Sequence, residues 1–198
     1  MTTFDFGSGS VPAHRHCNGG GWVADTAFVA DTAFVGENAQ VFDNARVYGN
    51  ARVSGDARVY GNARVSGDAQ VYGNAWVCDD AMVCDNARVY GNARVYDDAW
   101  VYDDAWVFGG AQVFGNARVS GDAQVYGNAW VCDDAMVCDN ARVYGNARVY
   151  DDAWVFDNAR VSGDAQVYGN AWVCDDAVVC GNAVVRSITR VYGDTYLT

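Results

Sequence analysis

Residues Ala63–Val101 read ARVSGDAQVYGNAWVCDDAMVCDNARVYGNARVYDDAWV, and the same stretch returns unchanged at Ala117–Val155. Both copies consist of one six-residue phrase, and valine occupies every sixth position from Val23 to Val191 with no insertion. A short and regular period of this kind is typical of repeat proteins, in which each unit stacks only on its neighbours. The sequence therefore predicts a rod of stacked units, whose function must reside on its surface.

Each six-residue unit contains a strand and a corner. In a phrase such as Ala-Arg-Val-Tyr, small and branched apolar residues alternate with larger side chains, which is the period of a strand with one buried face. The two remaining positions are mostly Gly-Asn, Gly-Asp, Asp-Asn or Asp-Asp, residue types that tolerate left-handed backbone angles and hydrogen-bond their own backbone. We expect four residues of strand and then a sharp bend in every unit.

A chain that bends after every short strand and buries one face must coil, and stacked coils pair each strand with the strands above and below. The sequence predicts an all-β fold, a single-stranded parallel β-helix with a triangular coil of three six-residue units. About ten such coils, at roughly 4.8 Å per coil, give a rod about 48 Å long. We expect columns of valine and alanine to fill its interior.

The chain consists of two segments. Residues 1–21 lie outside the repeat, and residues 22–198 form the predicted solenoid. The first segment holds the only proline and both histidines, and we interpret it as an N-terminal arm that caps the first coil, because a terminal solenoid strand otherwise offers an unpaired edge. His14, His16 and Cys17 are potential metal ligands within this arm. They lack the separated pairs of a structural zinc site, so a polar arm is the favoured interpretation and the metal content stays open.

The repeated phrases also carry a family resemblance. VYGNAR, VSGDAQ and VCDNAR resemble the hexapeptide repeat of the left-handed β-helix superfamily, most closely that of the YdcK-type solenoids of bacteria and phages. The resemblance covers Trp22 to about Arg186 and implies a left-handed coil, whereas the usual rule for parallel crossovers favours the right hand. Many members of this superfamily are acyltransferases, so the resemblance also implies that activity as an alternative.

Composition and charge restrict the partners. The formal net charge of −12 arises from 25 acidic residues against 13 basic ones, and this acidity argues against a nucleic-acid partner. No apolar run approaches the length of a membrane span, and the first ten residues lack the basic start and apolar core of a signal peptide. We expect a protein without membrane contact, located in the cytoplasm.

The cysteines support the same compartment. Six of the seven take the outward position after a valine: Cys78, Cys84, Cys132, Cys138, Cys174 and Cys180. The expected coil separates all of them by more than the roughly 7 Å between Cα atoms that a disulfide allows. Free thiols suit a reducing compartment, and we interpret these cysteines as small outward side chains without a redox or metal role.

One face of the predicted prism differs from the other two. In five consecutive coils, the position after valine on this face carries an aromatic residue: Tyr72, Tyr90, Phe108, Tyr126 and Tyr144. Beside them on the same face lie Arg88, Trp106 and Arg142. The corner that bounds this face is Gly-Asn or Gly-Gly from Gly73 to Asn146. Tyrosine, tryptophan and arginine are enriched at the centres of protein interfaces, so these eight residues are the predicted partner-binding surface.

The other two corners are rich in aspartate. Asp79 and Asp80 are expected one coil away from Asp97 and Asp98, and carboxylates at that separation repel one another unless cations or arginines intervene. Oxygen ligands alone suit Ca²⁺, so weak divalent binding is one interpretation. Ordinary solvated aspartates in turns are the favoured one.

Three functions come into question for a rod of this kind. An acyltransferase of this superfamily uses a histidine that projects from a coil and a loop that interrupts the hexads, and this chain has neither within its repeat, so no catalytic residue and no cofactor is predicted. Ice binding needs a flat array of short hydroxyls, which the Arg, Tyr and Trp columns do not provide. The favoured hypothesis is a non-catalytic structural rod that associates with itself or with a protein partner through its aromatic face. An acyltransferase completed by oligomerisation is the alternative.

Overall fold

The computed structural model describes residues 2–198, a range in which all regular secondary structure is β-strand. Met1, the first residue of the predicted arm, lies outside the described residues. The strands form three sheets that run the length of the molecule, and we number these sheets by the order in which the solenoid enters them. The all-β class and the parallel three-sided coil expected from the hexads are confirmed.

The first sheet has twelve strands. They are β1 (Thr3–Asp5), β2 (Ser10–Arg15), β3 (Trp22–Ala24), β6 (Gln40–Val41), β9 (Arg58–Val59), β12 (Trp76–Val77), β15 (Arg94–Val95), β18 (Gln112–Val113), β21 (Trp130–Val131), β24 (Arg148–Val149), β27 (Gln166–Val167) and β30 (Val184–Val185). The second sheet has ten strands. They are β4 (Phe28–Val29), β7 (Arg46–Val47), β10 (Arg64–Val65), β13 (Met82–Val83), β16 (Trp100–Val101), β19 (Arg118–Val119), β22 (Met136–Val137), β25 (Trp154–Val155), β28 (Trp172–Val173) and β31 (Arg190–Val191).

The third sheet also has ten strands. They are β5 (Phe34–Val35), β8 (Arg52–Val53), β11 (Gln70–Val71), β14 (Arg88–Val89), β17 (Trp106–Val107), β20 (Gln124–Val125), β23 (Arg142–Val143), β26 (Arg160–Val161), β29 (Val178–Val179) and β32 (Tyr196–Leu197). Strands of the solenoid pair in parallel with the strands one coil away, and Val71 faces Val89 as Val89 faces Val107. Each coil therefore comprises three hexads, as the sequence predicts.

The ordered strand is shorter than expected, two residues in place of four. Hydrogen bonding between coils nevertheless continues beyond the strand: the amides of Trp76, Cys78 and Asp80 donate to carbonyls of the next coil at 3.0 Å each. Nearly every second amide of a coil thus finds a partner in the neighbouring coil, and this satisfies backbone groups in the bends as well as in the strands.

The core consists of the valine and alanine columns, and the members from Val35 to Val179 are fully buried. At the corners, the first of the two residues carries the left-handed angle: Gly91 has a φ of 72° and Asp97 a φ of 58°. The second residue, usually Asn or Asp, has ordinary angles, and at several corners an Asn there donates to its counterpart in the next coil, as Asn74 does to Asn92 at 3.1 Å.

At its N-terminal end the first sheet continues beyond the solenoid. Strands β1 and β2 pair antiparallel with each other, and β2 pairs antiparallel with β3. The ring of Phe6, from the loop of this hairpin, packs in a small cluster with Ala13 and Ala24. Within the described residues no helix is both long and apolar enough to cross a membrane.

Candidate functional site

The aromatic face of the third sheet forms as one continuous ladder. The rings of Tyr72, Tyr90, Phe108, Tyr126 and Tyr144 follow the strand valines of β11, β14, β17, β20 and β23. Successive ring centroids are 4.7 to 4.9 Å apart, and successive planes differ by at most 6°. This spacing is the strand separation of a β-sheet, so the coil itself sets the stacking.

Stacking changes what these rings offer to solvent. All five rings are half-buried, because each ring covers the face of the next. Ring edges and the four tyrosine hydroxyls remain at the surface. The face therefore offers hydrogen-bonding groups and ring edges, and it does not offer flat ring faces on which a sugar or a base would stack.

The outward side chains that precede the valines of the third sheet form a column beside the ladder and contact its rings. Trp106 meets Tyr90 edge to face, with centroids 6.4 Å apart, and the guanidinium carbon of Arg88 lies 4.9 Å from the centre of the Trp106 ring. Arg142 is exposed in the same column. The structure thus brings all eight predicted residues together on one face, and it adds the lateral contacts that the sequence pattern does not specify.

Burial affects the hydroxyls of the ladder. It raises the pKa of the Tyr90 and Tyr126 phenols, and the neighbouring phenols of Tyr72 and Tyr144 respectively add to the rise, since two phenolates one coil apart would repel. The hydroxyls of Tyr90 and Tyr126 are therefore neutral at physiological pH. They act as hydrogen-bond donors and acceptors, not as charges or bases.

Arginines and carboxylates are segregated on the rod. Among residues 2–198, the one ion pair joins His14 Nδ1 to Asp25 Oδ1 at 2.9 Å, and arginines stack on aromatic rings, as Arg94 does on Trp76 at 4.7 Å. Arginines occupy the middle of each face and aspartates its edges. Each face therefore presents cationic and aromatic groups between acidic or neutral borders.

The corner aspartates have a structural task that sequence reasoning missed. Asp97 Oδ2 accepts a hydrogen bond from the amide of Gly115, one coil further on, at 3.2 Å, and Asp103 Oδ2 accepts one from Gly121 at the same distance. The recurrence of Asp at the first corner position is the signal that could have revealed it. Bonds of this type stabilise stacking without a cation, and calcium binding at the Asp79 and Asp97 corners stays a prediction.

The potential metal ligands of the arm point to different partners. His14 pairs with Asp25, and the buried ring of His16 hydrogen-bonds the carbonyl of Ala33 through Nε2 at 3.0 Å. Elsewhere in the described chain, Asp157, Cys174 and Asp175 bring potential ligand atoms close together. Asp157 Oδ2, however, already accepts the amide of Asp175 at 3.3 Å, which accounts for that cluster without an ion.

All seven cysteines are free. Burial, reinforced by a hydrogen bond to the following aspartate, raises the pKa of the Cys78, Cys84, Cys132 and Cys138 thiols to about 12. A thiol held in its neutral form is a weak nucleophile and a weak metal ligand at pH 7. These four side chains act as small spacers between larger outward groups.

The chain can be compared with proteins of known sequence and structure. No curated protein matches the chain. Among solved structures, the chain is similar to the UDP-N-acetylglucosamine acyltransferase from Campylobacter jejuni, at 13% identity and a TM-score of 0.32, over 74% of this chain and 67% of that one. A similarity this distant says nothing about activity.

The YdcK β-solenoid repeat matches nine segments, most of which overlap a neighbour and which together cover more than half of the chain. They are residues 39–55, 45–59, 57–73, 81–95, 87–103, 111–127, 141–155, 153–169 and 165–181. These segments fall within the coils described above, and the resemblance expected from the hexad phrases is confirmed. The chain belongs to the YdcK β-solenoid repeat family.

Proposed function

We propose that this protein is a non-catalytic structural rod that binds a protein partner, another copy of itself included, through the aromatic face of the third sheet. The observation that carries the proposal is the unbroken five-ring ladder, Tyr72 to Tyr144, along a border of neutral corners. Serine and cysteine interrupt the corresponding columns of the other two sheets. An aromatic surface with nearby arginine and tryptophan suits the desolvated centre of an interface.

The electrostatics of the face support a protein partner. Acidic corners border the other edges of the rod, and they would repel nucleic acid or an anionic membrane before contact. Seven free cysteines suit work in a reducing compartment such as the cytoplasm. The acyltransferase alternative finds no histidine and no interrupting loop within the repeat, since both histidines precede residue 22.

The test replaces Tyr90 and Tyr126 together by Asp. Both side chains point outward from half-buried positions, so we expect the rod to fold while two carboxylates interrupt the ladder. Partner retention in a pull-down from cells, or self-association measured by light scattering, should fall at least tenfold in affinity.

A matched control replaces Tyr48 and Tyr102 by Asp at the same strand position of the second sheet. This variant should behave like the parent protein. If the third-sheet variant keeps every partner and every assembly of the parent, the interface lies on another face.

A further inference from the structure

The first sheet carries a second aromatic ladder with two gaps. Rings stack in pairs along it, Phe42 on Tyr60, Tyr96 on Phe114 and Tyr150 on Tyr168, with centroids 4.8 to 4.9 Å apart. Cys78 separates the first pair from the second, and Cys132 the second from the third. At roughly 4.8 Å per coil, the rings on either side of each cysteine are about 9.6 Å apart, which leaves the space of one ring.

A cleft lies at each gap, with volumes of about 200 and 210 Å³. The first is bordered by Tyr60, Trp76, Cys78, Asp79, Arg94 and Tyr96, and each of these positions has its counterpart three coils later at the second. The internal contacts repeat as well: a tyrosine hydroxyl hydrogen-bonds a glutamine Oε1 at 3.2 Å in one cleft and at 3.3 Å in the other. The two clefts are therefore one site built twice.

A third site of the same kind is already filled by the chain itself. Trp22 and the small Ala24 occupy the positions that Trp76 and Cys78 occupy in the first cleft. Phe6 packs against Ala24, is only 5% exposed and stacks on Phe42 at 4.8 Å. A gap in this ladder therefore accepts an aromatic ring. Pockets for drug-sized molecules measure about 300 to 1,000 Å³, so the smaller volume of each open cleft suits one ring and not a larger ligand.

The column beside the ladder supplies rings of the right kind. Wherever the first sheet has a cysteine after the valine, it has a tryptophan before it, Trp76 with Cys78 and Trp130 with Cys132. In the coils between Gln40 and Gln166 where an aromatic ring follows the valine, Arg or Gln precedes it. On this face, a large tryptophan side chain precedes the valine in the same coils in which a small cysteine follows it.

We propose that two copies of this protein pack face to face and parallel through their first sheets, each inserting Trp76 and Trp130 into the clefts beside Cys78 and Cys132 of the other. The two-fold axis runs along the rods over the valine columns. Rotation about that axis places the side chains that precede the valines in one copy opposite the side chains that follow the valines in the other. It allows no shift along the rod. Each tryptophan then faces a cleft at its own height, and a closed, isologous dimer results.

The charges and the area fit this arrangement. The same rotation places the aspartate corner of one copy, at Asp79 and Asp133, against the neutral corner of the other, so the acidic edges do not meet. The carboxylates of Asp79 and Asp133 border the clefts and can accept the indole N–H of an entering tryptophan. A face of eight coils at about 4.8 Å each, with four extended residues or about 13 Å between its corners, buries about 1,000 Å² in total over the two copies, the lower bound for a specific interface.

The other two sheets do not have this complementarity. A parallel two-fold contact through the third sheet would oppose Trp106 to Phe108, and the same contact through the second sheet would oppose Trp154 to Phe156. Large rings would collide in both. The proposed dimer goes beyond the binding role of the aromatic face and leaves that face free, so either contact can fail while the other holds.

The experiment measures molar mass by light scattering at tens of micromolar protein. The parent should have twice the chain mass of 21.3 kDa. Trp76→Ala with Trp130→Ala should reduce it to the chain mass. The matched control, Trp100→Ala with Trp154→Ala, removes two exposed tryptophans with the same three-coil spacing from the second sheet and should remain a dimer.

A second pair of variants tests the clefts without removing any ring. Cys78→Phe with Cys132→Phe completes the ladder from within, so the rod should remain folded by circular dichroism while the dimer dissociates. A monomeric parent, or a dimer that survives either the tryptophan deletions or the filled clefts, would overturn the proposal. Retention of an isolated indole by a monomeric parent would assign the clefts to a small aromatic ligand and would overturn the dimer equally.

Discussion

At the scale of single residues, the first corner position shows why Gly and Asp alternate there. Both accept a left-handed angle, as Gly91 and Asp97 do, but only aspartate can also accept an amide N–H from the neighbouring coil. The sequence predicts the bend, because left-handed residues recur every six positions. It does not predict the bond to Gly115, because that amide comes within reach only when the coils are stacked.

Tyrosine titration provides the residue-scale prediction. The pKa values of Tyr90, Tyr96, Tyr126 and Tyr150 are raised in the folded rod, mainly by burial, above the ordinary value of about 10. Their contribution to stability is therefore complete below pH 10 and is lost as the pH rises through the folded-state values. We expect the urea midpoint to fall between pH 9 and pH 11.

The control for this prediction is Tyr90→Phe with Tyr126→Phe, which keeps the rings and removes two titrating groups. Its loss of stability across the same pH interval should be smaller than that of the parent. An equal loss would mean that these hydroxyls do not contribute to the pH dependence and that other groups with raised pKa values, the thiols among them, account for it.

At the scale of elements, the N-terminal hairpin is the part that the repeat pattern could least specify. A cap was expected over residues 1–21, because solenoid ends need one. That the cap is an antiparallel hairpin extending one sheet, with Phe6 in the gap above Ala24, depends on the shape of the first coil and not on any local period. Aperiodic segments provide too little pattern to predict such a contact.

Phe6→Ala tests how firmly the ring anchors the hairpin. Removing a buried phenylalanine ring costs about 3 kcal/mol when the cavity does not close, and of the two rings of the hairpin, Phe4 and Phe6, only Phe6 is buried. We expect trypsin to cut after Arg15 much faster in this variant than in the parent. Phe28→Ala removes a ring that is 54% exposed on β4 and should leave the cleavage rate unchanged. Equal rates for Phe6→Ala and the parent would show that strand pairing alone holds the hairpin.

At the scale of the whole molecule, the repeated segments keep their sheets because the offset from Ala63 to Ala117 is nine hexads, which makes three full coils. The first-sheet and third-sheet surfaces of the two copies are therefore aligned along the rod. The sequence predicted this alignment and all eight residues of the aromatic face, because both follow from counting hexads. It did not predict the half-burial of the rings or the paired clefts, which depend on how side chains of adjacent coils stack.

Both proposed contacts depend on faces that a coil of three hexads holds in phase. Deleting residues 99–116 removes one coil and keeps Trp130 on the first sheet and Tyr126 on the third. Deleting residues 99–104 removes one hexad and turns everything beyond it by one face, so both surfaces are split. Light scattering of the two folded variants is the direct test: we predict that the coil deletion keeps the assembly of the parent and that the hexad deletion loses it. A hexad-deletion variant that assembles like the parent would contradict the account.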